Sequence, residues 1–293
     1  MNIKIFSLGQ KGFAVVKALS SLMCVSSITC VIGQDNEVDD DWSFKLREFC
    51  ILNKIMYEDS NAVSDIDNYD LYLAVGWRWL IKSVPKDKLI IFHDSLLPRY
   101  RGFSPLVSAL LNREELTGVT AFLASDEYDK GNILMQHQIR LNYPTYISHE
   151  ILRISIVYAD LAVDLVSKFH NRSINMLGVP QDENNATYSL WRSEEDYRIN
   201  WSDTAENILH FINCIGEPYK GASALLNGKL VRILKANSRP DVAIENRSVG
   251  KVIFFDGIFP VVVCGAGLLQ LEHVMDSEGV PVLPLEKFRS RFI

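Results

Sequence analysis

One histidine and one aspartate in this 293-residue chain are placed where they could perform acid–base chemistry. His93 ends an apolar run, Lys88–His93, that is typical of a central parallel strand, and open α/β sheets bind ligands at the carboxyl ends of such strands. Asp129 follows 36 residues later in a polar turn. A histidine that moves a proton, with a carboxylate that fixes its tautomer and stabilises its imidazolium form, would serve acyl transfer to an amine. A structural histidine and a solvated turn aspartate are the alternatives.

The segments before His93 predict a doubly wound, mostly parallel α/β sheet. Asn2–Leu8 is typical of a strand, a turn with two glycines follows at Gly9–Gly12, and a helix is expected from Phe13 to about Leu22. The turn would present backbone N–H groups to an anion, although a plain strand-to-helix turn has the same pattern. The other predicted elements are strand 27–33, helix 44–55, strand 71–76, a helix opening at Ser104-Pro105, strands 118–124 and 132–141, and helix 148–168.

We predict two domains joined by a polar segment, with boundaries at 1–180, 181–203 and 204–293. Residues 181–203 hold six acidic and two basic side chains, a net charge of −4, which is typical of a connection between domains. A helix is expected over Thr204–Cys214, followed by short strands between glycine turns, which indicate a small barrel. These predicted strands are 222–226, 229–235, 250–255, 260–264 and 268–274.

The composition is that of an ordinary globular protein, with 48% apolar and 23% charged residues. The net charge of −6 argues against a protein whose main task is to bind a polyanion. Five cysteines without C-x-x-C spacing are expected to be buried free thiols, and the six histidines show no metal-ligand spacing. The apolar stretch 12–33 is interrupted by Lys17 and by serines. We therefore expect no metal, no membrane segment and a cytoplasmic location.

Several motifs follow one another in a fixed order along the chain. Those of the first half are HDSLLPRYRG at 93–102, Ser104-Pro105, TGVT at 117–120 and DKGNI at 129–133, and those of the second half lie at 192–201, 217–222 and 265–274. This pattern resembles the folate-dependent formyltransferases, which include methionyl-tRNA formyltransferase, the formyltransferase domain of lipid A aminoarabinose synthesis and the sugar-nucleotide N-formyltransferases. The resemblance covers nearly the whole chain. It implies a Rossmann-like formyltransferase catalytic domain followed by an OB-like domain.

The resemblance also implies roles for residues by position. His93 matches the family's catalytic histidine and Asp129 matches the aspartate that partners it. The segment after strand 71–76 matches the loop whose backbone holds the pterin ring of 10-formyltetrahydrofolate, the formyl donor, although core packing is the alternative for its tryptophans. The residues expected to bind this cofactor are Gly76, Trp77, Arg78, Trp79, Leu80, Ser95, Leu96 and Asp126. Those expected to bind the second substrate are Gly9, Lys11, Arg101, Gly102 and Tyr219.

One position departs from the family's pattern. The family's third catalytic residue is an Asn two positions before the histidine, and here that position is Ile91. This Asn donates a hydrogen bond to the formyl oxygen, and loss of one such donor costs roughly 10²–10³ in rate in other acyl-transfer enzymes. Either the imidazolium of His93 or a backbone N–H of loop 94–97 replaces it, or the protein is slow or inactive.

The charge distribution predicts a small acceptor. Phosphate contacts supply most of the affinity for tRNA, whereas residues 204–293 carry ten basic and nine acidic side chains, a net charge of +1. We therefore predict an N-formyltransferase that acts on the amine of a nucleotide-linked, dTDP-type amino sugar for O-antigen or lipopolysaccharide synthesis, and does not bind nucleic acid. The alternatives are a methionyl-tRNA formyltransferase and a catalytically impaired protein that binds folate or a nucleotide sugar. The family further implies a homodimer.

Overall fold

The computed structural model describes residues 1–36, 38, 40–60, 69–81 and 84–293. Their contacts divide the chain into a first compact unit, residues 1–142 with 149–191, and a second, residues 143–148 with 192–293. The change from one unit to the other along the chain falls between Trp191 and Arg192. The domain boundaries drawn from the sequence stay a prediction.

The first unit is built on a mixed β-sheet. The strands described in it are β1 (Ile3–Ser7), β2 (Ile28–Ile32), β3 (Met56–Asp59), β4 (Leu71–Val75), β5 (Leu89–His93), β6 (Arg101–Gly102), β7 (Leu116–Leu123), β8 (Ile133–Arg140) and β9 (Tyr188–Ser189). Within the described residues seven of them form one sheet in the order β3-β2-β1-β4-β5-β7-β8. Strands β1 to β5 pair in parallel, and β7 and β8 are antiparallel. The predicted doubly wound, mostly parallel sheet is confirmed, and β6 pairs separately with β9.

The helices of this unit connect the strands as the sequence predicts, except that the first begins earlier than predicted and the second ends at Leu52, before the predicted end at residue 55. They are α1 (Gly9–Leu22), α2 (Ser43–Leu52), α3 (Pro105–Leu111) and α4 (Ile147–His170). The prediction that α1 begins at Phe13 is wrong, because the chain turns at Gly9 itself, where φ is +67°. Gly12 therefore lies inside the helix and packs on β1, since a Cβ there would stand 2.2 Å from the Oγ of Ser7.

The central strands are buried on both faces, as their continuous apolar runs predict. Every residue of β1, β2 and β4 is buried. On one face Phe6 and Ala74 belong to an apolar cluster against which the half-buried Ile91 packs. On the other face Phe92 stacks on Tyr158 of α4, with 5.9 Å between ring centroids. His93 thus stands at the end of a rigid strand.

The second unit combines one helix with an antiparallel sheet. Its elements are α5 (Ala205–Ile215), β10 (Ala222–Leu226), β11 (Lys229–Arg239), β12 (Val252–Asp256), β13 (Phe259–Val263) and β14 (Leu268–Asp276). The strands pair in the order β10-β11-β14-β13-β12. The chain's last residues hydrogen-bond to both edges of this sheet, because Ile293 pairs with Leu225 of β10 while Phe292 bonds to Gly250 before β12. This link between the edges is what a small barrel requires.

Two expectations about the chain's surroundings can be compared with the structure. Among the described residues we find no helix that is both long and apolar enough to cross a membrane. The cysteines are free thiols, and those at 30, 50, 214 and 264 are buried as predicted. Cys24 is exposed, which corrects the expectation for that residue, because it lies in the connection after α1.

Candidate active site

The carboxyl ends of β1, β4 and β5 lie side by side and form the edge at which the candidate site is found. The chain passes from β1 to β2 on one side and continues through β4 on the other, so a topological switch point lies between β1 and β4. Gly76 directly follows β4 with a φ of +63°, and a Cβ there would stand 2.7 Å from the carbonyl oxygen of Leu8. A glycine is therefore needed where the chain leaves β4 beside this switch point.

The hydrogen bonding of His93 defines which ring nitrogen can act as a base. Its Nε2 lies 2.8 Å from the carbonyl oxygen of Tyr100, and a carbonyl only accepts, so Nε2 carries the proton. In the neutral ring Nδ1 then holds the free electron pair. Tyr100 has a φ of +59°, and its backbone N–H donates to the Oγ1 of Thr187 at 2.8 Å. In the neutral ring the carbonyl of Tyr100 therefore fixes the tautomer, and the role of Asp129 toward His93 stays a prediction.

Asp129 stands on the Nδ1 side of the histidine. Its Oδ1 lies 3.8 Å from Nδ1 of His93, and its Oδ2 accepts the backbone N–H of Gly102 at 2.8 Å. The first distance exceeds that of a hydrogen bond. The predicted pair is nevertheless brought together in the structure.

A second carboxylate lies beside the histidine. Asp94 accepts hydrogen bonds from the ammonium of Lys11 and the hydroxyl of Tyr158. Burial acts to raise the pKa of Asp94, but the charge and hydrogen bond of Lys11 and the hydroxyl of Tyr158 outweigh it and lower that pKa. Burial, together with the charge of Asp94, raises the pKa of Tyr158 well above its ordinary value. Sequence reasoning missed Asp94 and Tyr158, although an acidic residue directly after a strand-end histidine was a usable signal.

The residues expected to hold the pterin ring divide into a packed part and an exposed part. Trp77 packs edge-on against Phe6 and Trp79, with ring centroids 5.3 and 4.9 Å apart. Its indole N–H is buried without a hydrogen-bond partner in the described part of the chain. Trp79 and Leu80 are 47% and 65% exposed. Arg78, by contrast, forms an ion pair of 2.8 Å with Asp35.

The other residues expected to bind the cofactor lie apart from this segment. The hydroxyl of Ser95 donates to the carbonyl of Arg99 at 2.6 Å and so braces the loop after His93. Ser95 and Leu96 line a cavity of about 280 Å³. Asp126 is an exposed carboxylate that pairs with Lys86.

The predicted substrate residues are also held in different ways. Arg101 is only 1% exposed, and its guanidinium binds the carboxylate of Glu183 at 2.7 and 2.9 Å. This hydrogen bonding raises the pKa of Arg101. Gly102 supplies the N–H that binds Asp129, while the open space around Gly9 would admit a ligand. Tyr219 lies in the second unit, half-buried.

An apolar side chain occupies the position that departs from the family's pattern. Ile91 lies two residues before His93 on the same face of β5 and packs on the apolar cluster of Phe6 and Ala74. The structure therefore has a filled apolar surface where the resemblance places an amide. Over the described residues we also find no cluster of three or more His, Cys, Asp and Glu side chains arranged as metal ligands.

A strand-end histidine with a paired aspartate, on this sheet with a separate antiparallel unit, is the arrangement of one class of enzymes. Residues 58–151 match the formyl transferase family, and residues 192–290 match the formyl transferase C-terminal domain. The chain is 30% identical over 230 residues to the methionyl-tRNA formyltransferase of Syntrophomonas wolfei, covering 76% of this chain and 71% of that protein. The chain belongs to the formyl transferase family, whose members are enzymes that transfer formyl groups.

Two further comparisons show how far the likeness extends. The methionyl-tRNA formyltransferase of Ehrlichia chaffeensis is 31% identical over 190 residues, which are 64% of this chain and 60% of that protein, so this chain spans about three fifths of its length. An N-formyltransferase from Helicobacter canadensis, solved with folinic acid and dTDP-3-aminofucose, superposes with a TM-score of 0.68 at 17% identity over 93% of this chain and 99% of that chain. At this identity the superposition shows a shared fold.

Proposed function

We propose that this chain transfers the formyl group of 10-formyltetrahydrofolate to the amine of a nucleotide-linked amino sugar. The observation that carries the proposal is the orientation of His93. Tyr100 holds the proton on Nε2, which leaves Nδ1 as the base, and Asp129 stands 3.8 Å from that nitrogen. A base of this kind, with a carboxylate beside it, suits proton transfer from an attacking amine.

The proposed reaction moves one proton through His93. The neutral amine of the acceptor attacks the formyl carbon, and its proton passes to Nδ1 of His93 as the new carbon–nitrogen bond forms. Asp129 stabilises the resulting imidazolium, which then returns the proton to the nitrogen of the departing tetrahydrofolate as the old carbon–nitrogen bond breaks. Because Nδ1 carries a proton after the attack, His93 is also the proposed donor to the formyl oxygen in place of the family's Asn.

The formyl donor is proposed to lie along the exposed residues that follow β4. Trp79 and Leu80 present apolar surface beside the switch point, which is the ordinary ligand crevice of such sheets. As the resemblance implies, backbone groups of this segment are proposed to hydrogen-bond the edge of the pterin ring. These features fit a flat ring with hydrogen-bonding edges. The donor supplies the formyl group, and the chain supplies position and proton transfer.

A small acceptor is favoured by the state of the cations around the site. Those that the structure describes at the start of α1 and in loops 94–102 and 125–132 are held in ion pairs, as Lys11–Asp94, Arg99–Glu114, Arg101–Glu183 and Lys130–Glu127. A polyanion is bound by cations that are available to many phosphates. The fold shared with an N-formyltransferase solved with dTDP-3-aminofucose supports the nucleotide sugar. The proposal includes a cytoplasmic role in O-antigen or lipopolysaccharide synthesis and a homodimer.

A second candidate acceptor is methionyl-tRNA. The sequence relatives favour it, because methionyl-tRNA formyltransferases are 30% and 31% identical to this chain over 230 and 190 residues. A third candidate, an impaired protein that binds folate or a nucleotide sugar, rests on Ile91. Turnover with a defined acceptor distinguishes the three.

The test is an acceptor panel with purified protein and 10-formyltetrahydrofolate. Amino sugars on dTDP, UDP and GDP and charged initiator tRNA are offered separately, and release of tetrahydrofolate is followed together with the mass of the acceptor. We expect stoichiometric formylation of a nucleotide-linked amino sugar. If no acceptor in the panel causes release of tetrahydrofolate although the protein binds folate, the result would favour the impaired protein.

A further inference from the structure

Gln181 connects Arg101 to the main chain of Asp129. Its side-chain oxygen accepts hydrogen bonds from Nε and Nη2 of Arg101 at 3.0 and 2.8 Å. Its side-chain nitrogen donates to the carbonyl oxygens of Asp129 and Gly131 at 2.8 and 2.9 Å. An amide has two donors and two acceptor sites, so this side chain uses its full hydrogen-bonding capacity in one place.

The turn that Gln181 binds has to be held in an unusual conformation. Asp129 has a φ of +56°, a region that few residues other than glycine occupy and that Asn and Asp tolerate best. Two residues later Gly131 lies against β7, where a Cβ would stand 1.6 Å from the carbonyl oxygen of Leu123. Because Gln181 binds the carbonyls on both sides of Lys130, it fixes the plane of this turn. The Asp129 carboxylate that faces His93 projects from this turn.

The other end of the bridge is anchored in a buried side chain. Arg101 is fully buried and is held by two hydrogen bonds to Glu183, so it offers Gln181 a fixed position. The next residue, Gly102, donates its N–H to Oδ2 of Asp129. Strand β6 therefore holds Asp129 twice, through the carboxylate by Gly102 and through the backbone by Arg101 and Gln181.

We propose that Gln181 is a positioning residue for formyl transfer, which acts by holding the Asp129 carboxylate beside Nδ1 of His93. The expected loss of transfer rate rests on the proposed function. The hydrogen bonds of Gln181 go to Arg101, Asp129 and Gly131, so its effect on His93 is expected to pass through Asp129. Its loss should lower the rate of transfer and leave the binding of both substrates nearly unchanged.

The kinetic test is a double-mutant cycle with Asp129→Asn. Gln181→Met removes all four hydrogen bonds, whereas Gln181→Glu keeps acceptors for Arg101 and loses the donated bonds, which guards against a variant that fails to fold. Each should lower kcat about tenfold or more with KM changed less than about threefold. In the Asp129→Asn background the further loss should be below about twofold. Equal losses in both backgrounds would overturn the proposal.

A second measurement needs no acceptor and so separates this inference from the proposed function. The amide proton of Gly102 donates to the Asp129 carboxylate, and its NMR shift reports that charge-assisted hydrogen bond. We expect Gln181→Met and Gln181→Glu to move this resonance upfield, in the direction that Asp129→Asn moves it. The matched control is Asn185→Met, because Asn185 uses its amide on Asp182 in the same segment. An unmoved Gly102 resonance in both Gln181 variants contradicts the inference even if no acceptor is known.

Discussion

The carbonyl oxygen of Tyr100 accepts a hydrogen bond from Nε2 of His93 at 2.8 Å, and this contact decides which nitrogen of the ring can take a proton. The side chain of Tyr100 keeps the carbonyl in place, because its hydroxyl donates to Glu114 at 2.6 Å and accepts from Asn112 at 3.0 Å. Burial, with the neighbouring carboxylate of Glu114, raises the pKa of this hydroxyl, so it stays protonated as a donor. Nδ1 is therefore left to the chemistry, with Asp129 next to it.

Replacing either member of this pair should remove most of the activity. His93→Asn is expected to lose nearly all transfer and still bind folate, because an amide cannot accept the amine's proton. Asp129→Asn should lose about 10²–10⁴-fold in kcat, since a neutral amide does not stabilise imidazolium, while Asn tolerates the left-handed backbone of this position. Steady-state kinetics of tetrahydrofolate release measures both. The matched control is His137→Asn, which should keep full activity. His137 lies in β8, and its Nε2 is 3.4 Å from Oδ2 of Asp164.

The ion pair of Lys11 and Asp94 should stabilise the fold, whatever its role toward substrate. Lys11→Met leaves the Asp94 carboxylate, which is only 12% exposed, without its cation, which should cost about 3–5 kcal/mol in the free energy of unfolding at pH 7. Urea unfolding measures this. Lys168→Met, which removes an exposed ion pair with Asp164, should change stability by less than about 1 kcal/mol.

The contribution of Asp94 should also depend on pH with a defined sign. Its folded pKa lies below the unfolded value of about 3.9, so the stabilisation is fully present above about pH 5 and is lost as pH falls through the unfolded value toward the folded one. The stability difference between wild type and Asp94→Asn should therefore shrink as the pH falls below about 5. A difference that grows in acid would contradict this sign.

Ile91→Asn tests whether the family's missing amide has been replaced. Because Ile91 packs on an apolar cluster, the introduced amide should lack partners and cost about 1–3 kcal/mol in stability. Turnover should fall or stay level, and Ile91→Val, which keeps the apolar contact, should retain wild-type turnover. Thermal unfolding measures the stability of both variants, and steady-state kinetics measures their turnover. An increase in turnover of about tenfold or more with unchanged thermal stability would favour the impaired enzyme.

Gly102→Ala tests the strand that holds Asp129. The φ of Gly102 is +99°, and a Cβ there would stand 2.4 Å from the carbonyl oxygen of Ser189. The variant should lose stability and displace the N–H that binds Asp129, with a fall in kcat. Gly228→Ala is the matched control, because Gly228 also has a positive φ, +79°, but open space around it, so only the conformational cost of about 1–2 kcal/mol is expected. Equal effects of the two changes would show that the close approach to Ser189 has no role.

Regular elements were the most predictable part of this molecule, and links between distant segments the least. The apolar runs at β4 and β5 predict their strands to within a residue, because burial on both faces leaves a continuous signal. The start of α1 was misplaced, since a glycine turn and a first helical turn share their residues. The short pairing of β6 with β9 leaves no periodic signal in the sequence.

The candidate site shows the same division. His93 and Asp129 could be named from the sequence because their motifs carry the resemblance, but the distance between them depends on the fold. Arg101 is predicted to bind substrate, but in the structure its guanidinium pairs with the carboxylate of Glu183. The two residues are 82 positions apart, and composition cannot indicate such a contact. Asp94 and Gln181 were missed because their partners, Tyr158 and Arg101, are also distant in sequence.

Competition between the two acceptors is the most direct test of the central claim. Purified protein with 10-formyltetrahydrofolate is offered a dTDP-linked amino sugar and charged initiator tRNA together, and the formylated products are quantified at 50 and 200 mM salt. We predict formylation of the amino sugar with modest salt dependence, its loss in His93→Asn, and an unmodified tRNA. The account would be contradicted if the tRNA were formylated and the amino sugar were not, with tight tRNA binding that weakens about 10³-fold or more between the two salt concentrations.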